Sequence, residues 1–370
     1  MDKRADIDVK QPGEMMSNDP RDMDGKRLQQ AMRLFGRDTA LRARMVNFLR
    51  ECEPAIAYEG AVRDDIIGPI VDALHEDTDT YDKELADGTR LQFYYRTKIA
   101  RDLLLSAGER PEHVWEPQTT KLLLALASHL QGDVLVGGAY FGDQAVLVAR
   151  ALVDKGMKVH CFEPNPEQAG MLEHNVALNH LGNVVVNHTG LWNRSGERMR
   201  LDGFDSFANA VAAPEGEGFE TVSMDDYALG QGIRVGLIQL DIEGAELAAL
   251  QGAQRILAQD KPHVVFELHR TYVDWSHGLR ATPICQLLLG LGYEVFAVRD
   301  INSHREMPGK PVELVSLDTV YLDGPPHGFN MVAVADASVL DSPIFSRVDG
   351  VSPKLLPHKA PHLHHPVGGF

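Results

Sequence analysis

Beyond residue 114 the chain alternates two hydrophobic rhythms. Short, largely apolar segments occupy residues 134–137, 158–162, 183–188, 235–240, 263–266, 293–298 and 330–335. Between them, residues 119–130, 166–178 and 245–257 carry apolar side chains at helical spacing, and a turn and helix follow the first run to about residue 153. Largely apolar segments of this length are strands buried on both faces, and strands alternating with helices build a parallel sheet covered on both sides. The pattern predicts an α/β fold with a seven-stranded, mostly parallel sheet. Residues 317–322 read as a further strand without an assigned place.

The first hundred residues follow another grammar. Residues 1–24 are polar, without periodicity, and read as a disordered tail. Leu28, Met32, Phe35, Leu41, Met45 and Leu49 recur at helical spacing, predicting one helix over residues 26–49 with its arginines on a solvated face. Residues 55–110 read as mainly helical, with a polar break near residues 77–88, so residues 25–112 form a helical N-terminal region. The α/β domain spans residues 113–336, and residues 337–370, rich in Pro and His, read as an unstructured tail.

Several runs end abruptly in charge. The run at residues 235–240 delivers Asp241 and Glu243, and the run at residues 263–266 delivers Glu267 and His269. Ligands collect at the carboxyl ends of parallel strands, so these four converge on one crevice as candidate catalytic groups. The first strand ends in Gly137, Gly138, Ala139 and Gly142, a turn that brings backbone close to a ligand. About 20 residues on, the second strand ends in Glu163, where an acid accepts hydrogen bonds from both hydroxyls of a ribose. Asn165, followed by Pro166, is the better cap for the next helix. Turn and acid indicate a nucleoside cofactor without choosing between a nicotinamide dinucleotide and S-adenosylmethionine.

The block Asp241, Glu243, Gly244, Glu246, Leu250, Gly252, Ala253, followed by Lys261, Pro262, Glu267 and His269, resembles the signature of FkbM-type methyltransferases, S-adenosylmethionine-dependent enzymes of the Rossmann-like class. Residues 222–227 resemble the family's acidic segment, residues 115–117 its leading segment with Glu116, and residues 162–165 its ribose-binding stretch with Glu163 and Asn165. The resemblance covers residues 113–336. It implies O-methylation of a hydroxyl on a sugar, glycan or secondary metabolite. It also implies a cofactor site of Gly138, Ala139, Gly142, Glu163, Asn165, Asp241 and Glu116, with His269 as the preferred base, then Asp241, with Glu267 and Glu243 orienting. One departure stands out: Val136 occupies the position of the family's usual acid, leaving Glu116, Asp143 or Asp241 to replace it.

Composition narrows the partners. A formal net charge of −17 disfavours nucleic acid and anionic membrane surfaces. No apolar run approaches the roughly 18 residues of a membrane span. Three scattered cysteines fit a reducing, cytoplasmic setting. No resident metal is expected, although Asp225 and Asp226 beside Asp241 offer a carboxylate set. Glu246 reads as a helix-face acid, solvated or paired, with little catalytic content. His304, Arg305 and Lys310 are placed to shape an acceptor pocket, and Tyr272 and Trp275 to stack on a sugar ring, with a core role the equal reading for Trp275. The N-terminal region has two readings, a cover over the cofactor or a homodimer contact. Two further readings remain: a nicotinamide-dependent oxidoreductase, disfavoured by the missing third glycine and the lack of a Tyr-x-x-x-Lys pair, and a non-catalytic scaffold on the same fold.

Overall fold

The computed structural model describes residues 20–106, 108–214, 216–323 and 328–370. Most of the predicted tail, residues 1–19, lies outside the described residues. The chain divides into two compact units, residues 1–56 with 62–76, and residues 57–61 with 77–370.

In the first unit the single helix expected over residues 26–49 is two, α1 (Pro20–Gly36) and α2 (Thr39–Cys52). Two residues explain the break. Gly36 lies so close to Leu74 that a Cβ there would meet its carbonyl oxygen at 1.9 Å. Asp38 then caps α2, its carboxylate accepting the N–H groups of Ala40 and Leu41, both at 3.0 Å. A π-helical turn at Arg63–Ile67 runs into α3 (Gly68–Asp72). Val46, Leu49, Ile67, Val71 and Leu74 are buried. Arg33, Arg37 and Arg44 are exposed and Arg42 and Arg50 half-buried.

The second unit opens on a hairpin, β1 (Thr80–Glu84) antiparallel to β2 (Arg90–Tyr94), the second strand lying where helix was expected. The polar break holds β1 and the start of the turn. Gly88 takes φ +83° and the Asp87 carboxylate accepts the Thr89 N–H at 2.9 Å, a local closure that overrides weak helical periodicity. After α4 (Lys98–Leu104), the α/β units follow: α5 (Pro117–Ala127), β3 (Asp133–Gly137), α6 (Ala145–Leu152), β4 (Val159–Phe162), α7 (Pro166–Leu178) and β5 (Val184–Asn187). The hairpin seats on α7, where Asn175 accepts the Gln92 N–H at 2.7 Å and donates to the Gln92 carbonyl at 2.9 Å.

An insertion not foreseen from the sequence comes next. Strands β6 (Gly190–Leu191), β7 (Arg198–Asp202), β8 (Asn209–Ala212) and β9 (Phe219–Val222) form a separate sheet in the order β6-β9-β7-β8. The chain then resumes with α8 (Met224–Gln231), β10 (Val235–Leu240), α9 (Glu246–Gln251), α10 (Gln254–Gln259), β11 (His263–Leu268), α11 (Pro283–Gly290), β12 (Glu294–Val298), β13 (Val312–Ser316), β14 (Phe329–Val334), β15 (Phe345–Val348) and α12 (Pro361–His364). The helix expected over residues 245–257 is split at Gly252, whose missing side chain admits the Trp192 carbonyl; a Cβ there would meet it at 2.3 Å.

Among the described residues the main sheet has nine strands rather than seven, in the order β15-β13-β12-β14-β11-β10-β3-β4-β5. The expected seven are contiguous, from β5 to β12. The five strands β5, β4, β3, β10 and β11 run parallel, and β14 enters antiparallel between β11 and β12. This is a Rossmann-like sheet. The two extra strands extend one edge. One of them, β13, lies just before residues 317–322, which were read as a strand but are turn and coil. Strand order reverses between β3 and β10, and that switch point opens a crevice at the carboxyl ends.

The C-terminal stretch is not the unstructured tail expected. Ser352, Lys354, Leu355 and His364 are buried. The reason is Arg299, fully buried after β12, which pairs with Glu313 and donates to the carbonyls of Ser352 (2.8 Å), Leu363 (3.1 Å) and His365 (2.7 Å). A guanidinium with five donors ties the stretch down where its own composition offers little core.

Candidate functional site

Two strand ends meet at the floor of the crevice. A Cβ on Gly138, which takes φ +74°, would lie 1.8 Å from the Asp241 carbonyl oxygen, so only glycine lets β3 end against β10. Gly142, at φ +91°, packs on Leu172 and Val146. The N–H groups of Gly138 and Ala139 both point to the Phe162 carbonyl, at 3.0 and 3.4 Å. The glycine turn therefore serves sheet closure first, and its free N–H groups are fewer than the sequence suggested.

Glu163 ends β4 and is buried. Its carboxylate accepts the Tyr140 N–H and the Asn165 N–H, each at 2.9 Å, one at each oxygen, which leaves a lone pair on both. Burial pushes this carboxyl up to about 7 against the pull of those two hydrogen bonds. Asn165 caps α7, its Oδ1 accepting the Glu167 N–H at 3.0 Å. Around Glu163 stand residues that sequence reasoning did not single out. Asp205, at φ +51°, accepts the Gln168 amide at 3.1 Å and lies 3.6 Å from Arg96, and the Tyr140 hydroxyl lies 3.5 Å from Thr97. Arg96 and Thr97 come from the segment after the hairpin and Asp205 from the inserted sheet, which share no pattern with the strand ends.

Asp241, Glu243 and Glu267 are brought together, with carboxylate oxygens within 4.8 Å of one another. Asp241 is open to solvent, and Glu243 and Glu267 are half-buried. Protein crowds all three closely enough to desolvate them. Burial raises Asp241 to about 6, with Lys354 opposing. Burial, then Asp241 and Glu246, raise Glu243 to about 8. Burial and the charges of Asp241 and Glu116 push Glu267 well above the usual carboxylate range. Glu243 takes φ +51° and Glu116 φ +48°, left-handed conformations that cost a non-glycine residue energy and cluster at functional sites.

Glu116 joins from the segment before α5. Its buried carboxyl accepts the Asn330 amide at 2.7 Å and is raised to about 8 by burial, Asp300 and Asp241. Asp143, half-buried at the turn before α6, is raised to about 7 by burial and then by Asp241. Val136 is buried within β3, so no side chain of the strand itself stands in for the family's usual acid.

His269 is half-buried on the same side as Glu267. A Cβ on Gly328 would strike Glu267 Oε1 at 2.1 Å and His269 Cδ2 at 2.9 Å. The Thr271 N–H donates to His269 Nδ1 at 3.1 Å, so the neutral ring carries its proton on Nε2. Burial and Lys354 lower its pKa.

Lys354 is the residue the sequence hid. It comes from the stretch read as a tail, is buried, and has no hydrogen-bond partner for its ammonium among the described residues. Its charge acts on Glu116, Glu267 and Asp300, while burial lowers its own pKa. Parallel bridging between Asp300 and Lys354 fixes its position. Only the pairing of Asp300 with a distant segment delivers it, and no local motif marks that.

Other expectations need correction. Of the two readings of Glu246, solvated or paired, the second holds: it is buried, its carboxylate accepting the N–H groups of Ile242 (2.9 Å) and Gly244 (3.1 Å) and holding the turn after β10. Asp225 does not join Asp241: its carboxylate caps α10, accepting the Arg255 and Ile256 N–H groups at 2.8 and 3.0 Å. Trp275 is buried against Phe329, with ring centroids 5.3 Å apart, and is a packing residue, whereas Tyr272 remains exposed. His304 is buried against His113, Arg305 lies over the Phe370 ring, and Lys310 donates to the Gly368 carbonyl. That segment is bound to the protein's own chain rather than open as a pocket.

The site is thus a rim of carboxyl groups near neutrality, one buried ammonium and one imidazole. Groups titrating between about 6 and 8 can exchange protons with a reacting hydroxyl, and the excess of acids attracts a cation. Residues 137–295 match the family model described as "Methyltransferase FkbM domain". No curated protein matches the chain. Among solved structures, the methyltransferase FkbM from Methylobacillus flagellatus KT is similar at 23% identity and TM-score 0.26, over 37% of this chain and 32% of that one, so the chain spans about a third of its length. The SAM-dependent methyltransferase from Agrobacterium tumefaciens is similar at 10% identity and TM-score 0.37, over 71% of this chain and 72% of that one. TYW2 from M. jannaschii, solved in complex with AdoMet, is similar at 12% identity and TM-score 0.34, over 70% and 86%. Residues 137–295, less than half of the chain, are thus similar to a methyltransferase FkbM domain.

Proposed function

We propose that this domain is an S-adenosylmethionine-dependent O-methyltransferase acting on a hydroxyl of a sugar, glycan or secondary metabolite in the cytoplasm. The observation that carries the reading is Glu163: a buried carboxylate at the end of the second strand of the α/β domain, held by two backbone N–H groups, with one lone pair free on each oxygen. That pair of acceptors fits a ribose diol. The acids further along the rim, Asp241 and Asp143, fit an ammonium and a sulfonium, and no acid from β3 is needed for it.

Bound S-adenosylmethionine supplies a methyl group on a sulfonium, a leaving group that needs no protonation. The protein's part is alignment and proton removal. Glu163 accepts the ribose hydroxyls. Asp241 and Asp143 answer the methionine ammonium. As the acceptor oxygen attacks, its proton passes to Asp241, whose carboxyl is raised to about 6 and is therefore ionised at neutral pH, with the protonated Glu267 beside it. His269, with Nδ1 committed to the Thr271 N–H, offers an N–H at Nε2 and so orients the acceptor oxygen rather than taking its proton. Glu243 sets the charge on its neighbours. The excess of acids argues against nucleic acid as the acceptor.

The test is calorimetric titration of the full chain with S-adenosylhomocysteine and, separately, with a nicotinamide dinucleotide. Saturable binding of the first and none of the second is expected. The reverse result, or binding of neither at millimolar concentration, overturns the reading.

A further inference from the structure

A second polar cluster lies away from the carboxyl rim. His113 precedes α5, and His304 and Glu306 follow β12. Both imidazoles are 97% buried, each having a relative exposure of 3%. Their rings stack with centroids 4.7 Å apart and planes 2° from parallel. One nitrogen of each ring is engaged: His113 Nδ1 lies 3.3 Å from Glu306 Oε2, and His304 Nε2 lies 2.9 Å from the His113 carbonyl oxygen. The others, His113 Nε2 and His304 Nδ1, are buried without a hydrogen-bond partner among the described residues.

A buried polar atom left unpaired is destabilising, and here there are two in one cluster. The His304 ring, held through Nε2 by a carbonyl, has the arrangement that orients metal-binding histidines, because a ring that donates through one nitrogen presents a lone pair at the other, while His113 Nδ1 and Glu306 Oε2 face one another as two ligands of one ion would. One ligand atom from each of His113, His304 and Glu306 lies within 4.8 Å of the others. That is somewhat wider than the roughly 3.4 Å ligand–ligand edge of a tetrahedral zinc site with bonds near 2.1 Å.

We propose that His113, His304 and Glu306 bind a divalent transition-metal ion of the zinc type. Two nitrogens and an oxygen suit such an ion better than magnesium or calcium, which take oxygen alone. Binding swings one imidazole out of the parallel stack so that the two in-plane lone pairs converge. The ion staples the segment leading into α5 to the loop after β12. That junction is already laced: Glu306 accepts the Glu112 N–H at 2.7 Å, and Asp300 accepts the Gln118 and Thr119 N–H groups at 3.1 and 2.6 Å. Glu116 lies within this segment, so the ion fixes one carboxylate of the crevice from outside it.

Chelator-treated full-length protein is titrated with zinc against a chromogenic zinc chelator, beside His304→Ala, His113→Ala and a His358→Ala/His362→Ala control that removes exposed C-terminal histidines. One tight equivalent is expected in the wild type and the control, weakened at least about 100-fold in the other two. Cobalt added to the wild type gives a ligand-field absorption of a low-coordinate nitrogen and oxygen site, a readout that does not depend on any variant folding. Absence of a tight equivalent in the wild type, or binding lost in the control and kept in His304→Ala, overturns the proposal.

Discussion

At the scale of single residues, the site depends on side chains whose surroundings oppose their ordinary chemistry. Glu163 is buried where a carboxylate is costly, and two backbone N–H groups hold it ready for a ligand. Glu163→Ala is expected to weaken S-adenosylhomocysteine binding by about 1.5–3 kcal/mol, the scale of a charge-assisted hydrogen bond, as measured by calorimetry. Affinity within a few tenths of wild type would remove Glu163 from the cofactor site. Gly138 matters for a different reason. Its positive φ and its contact with the Asp241 carbonyl leave no room for a methyl group. Gly138→Ala should cost about 2–4 kcal/mol in urea unfolding, from backbone strain plus overpacking. Of these two, Glu163 was legible in the sequence as an acid a fixed distance past a glycine turn. The role of Gly138 was legible only as a turn, because the atom it makes room for belongs to a strand a hundred residues away.

At the scale of elements, the C-terminal stretch is a strap that functions through one clamp. Arg299 meets Glu313 and three carbonyls of the strap, and the Val367 N–H returns to Glu313 at 2.8 Å. Arg299→Met leaves a buried carboxylate without its cation, so a loss of about 3–5 kcal/mol is expected by chemical denaturation. The double variant Arg299→Met/Glu313→Met should recover much of that loss, because the stranded charge goes with it. If the single variant unfolds like the wild type, the strap is held by something other than this pair. Proline and histidine spacing gave no sign of the strap. Its order depends on a guanidinium that precedes it by more than fifty residues. The hairpin at residues 80–94 was missed for a related reason: its Asp-Gly turn is local, but its seat on Asn175 is not.

At the scale of the whole molecule, the carboxyl groups make stability depend on pH. Glu116 and Glu243 are raised to about 8, and Asp143, Glu163 and Glu246 to about 7. In the unfolded chain these groups titrate near 4. The folded protein therefore holds more protons than the unfolded chain across this interval, and its stability falls as pH rises. Buried histidines such as His160 and His263, whose pKa values are lowered, act in the opposite direction, but only below their ordinary value near 6.5. The net sign is clear from about pH 6.5 to 8, where Tm is expected to decline. Glu243→Gln should flatten that decline. A Tm that climbs across the same interval would mean the acids are less desolvated than their packing implies.

The sequence by itself determined the alternation of strands and helices, the acids and histidine at the ends of β10 and β11, and the acid after the glycine turn. Strand periodicity and strand ends are local properties, written in runs of a few residues. Tertiary structure alone decided that nine strands rather than seven share the sheet, that Glu246 and Asp225 serve backbone rather than ligand, and that Lys354 reaches the crevice. Each of these depends on which distant segments pair, and pairing follows from packing the whole chain at once rather than from any pattern along it.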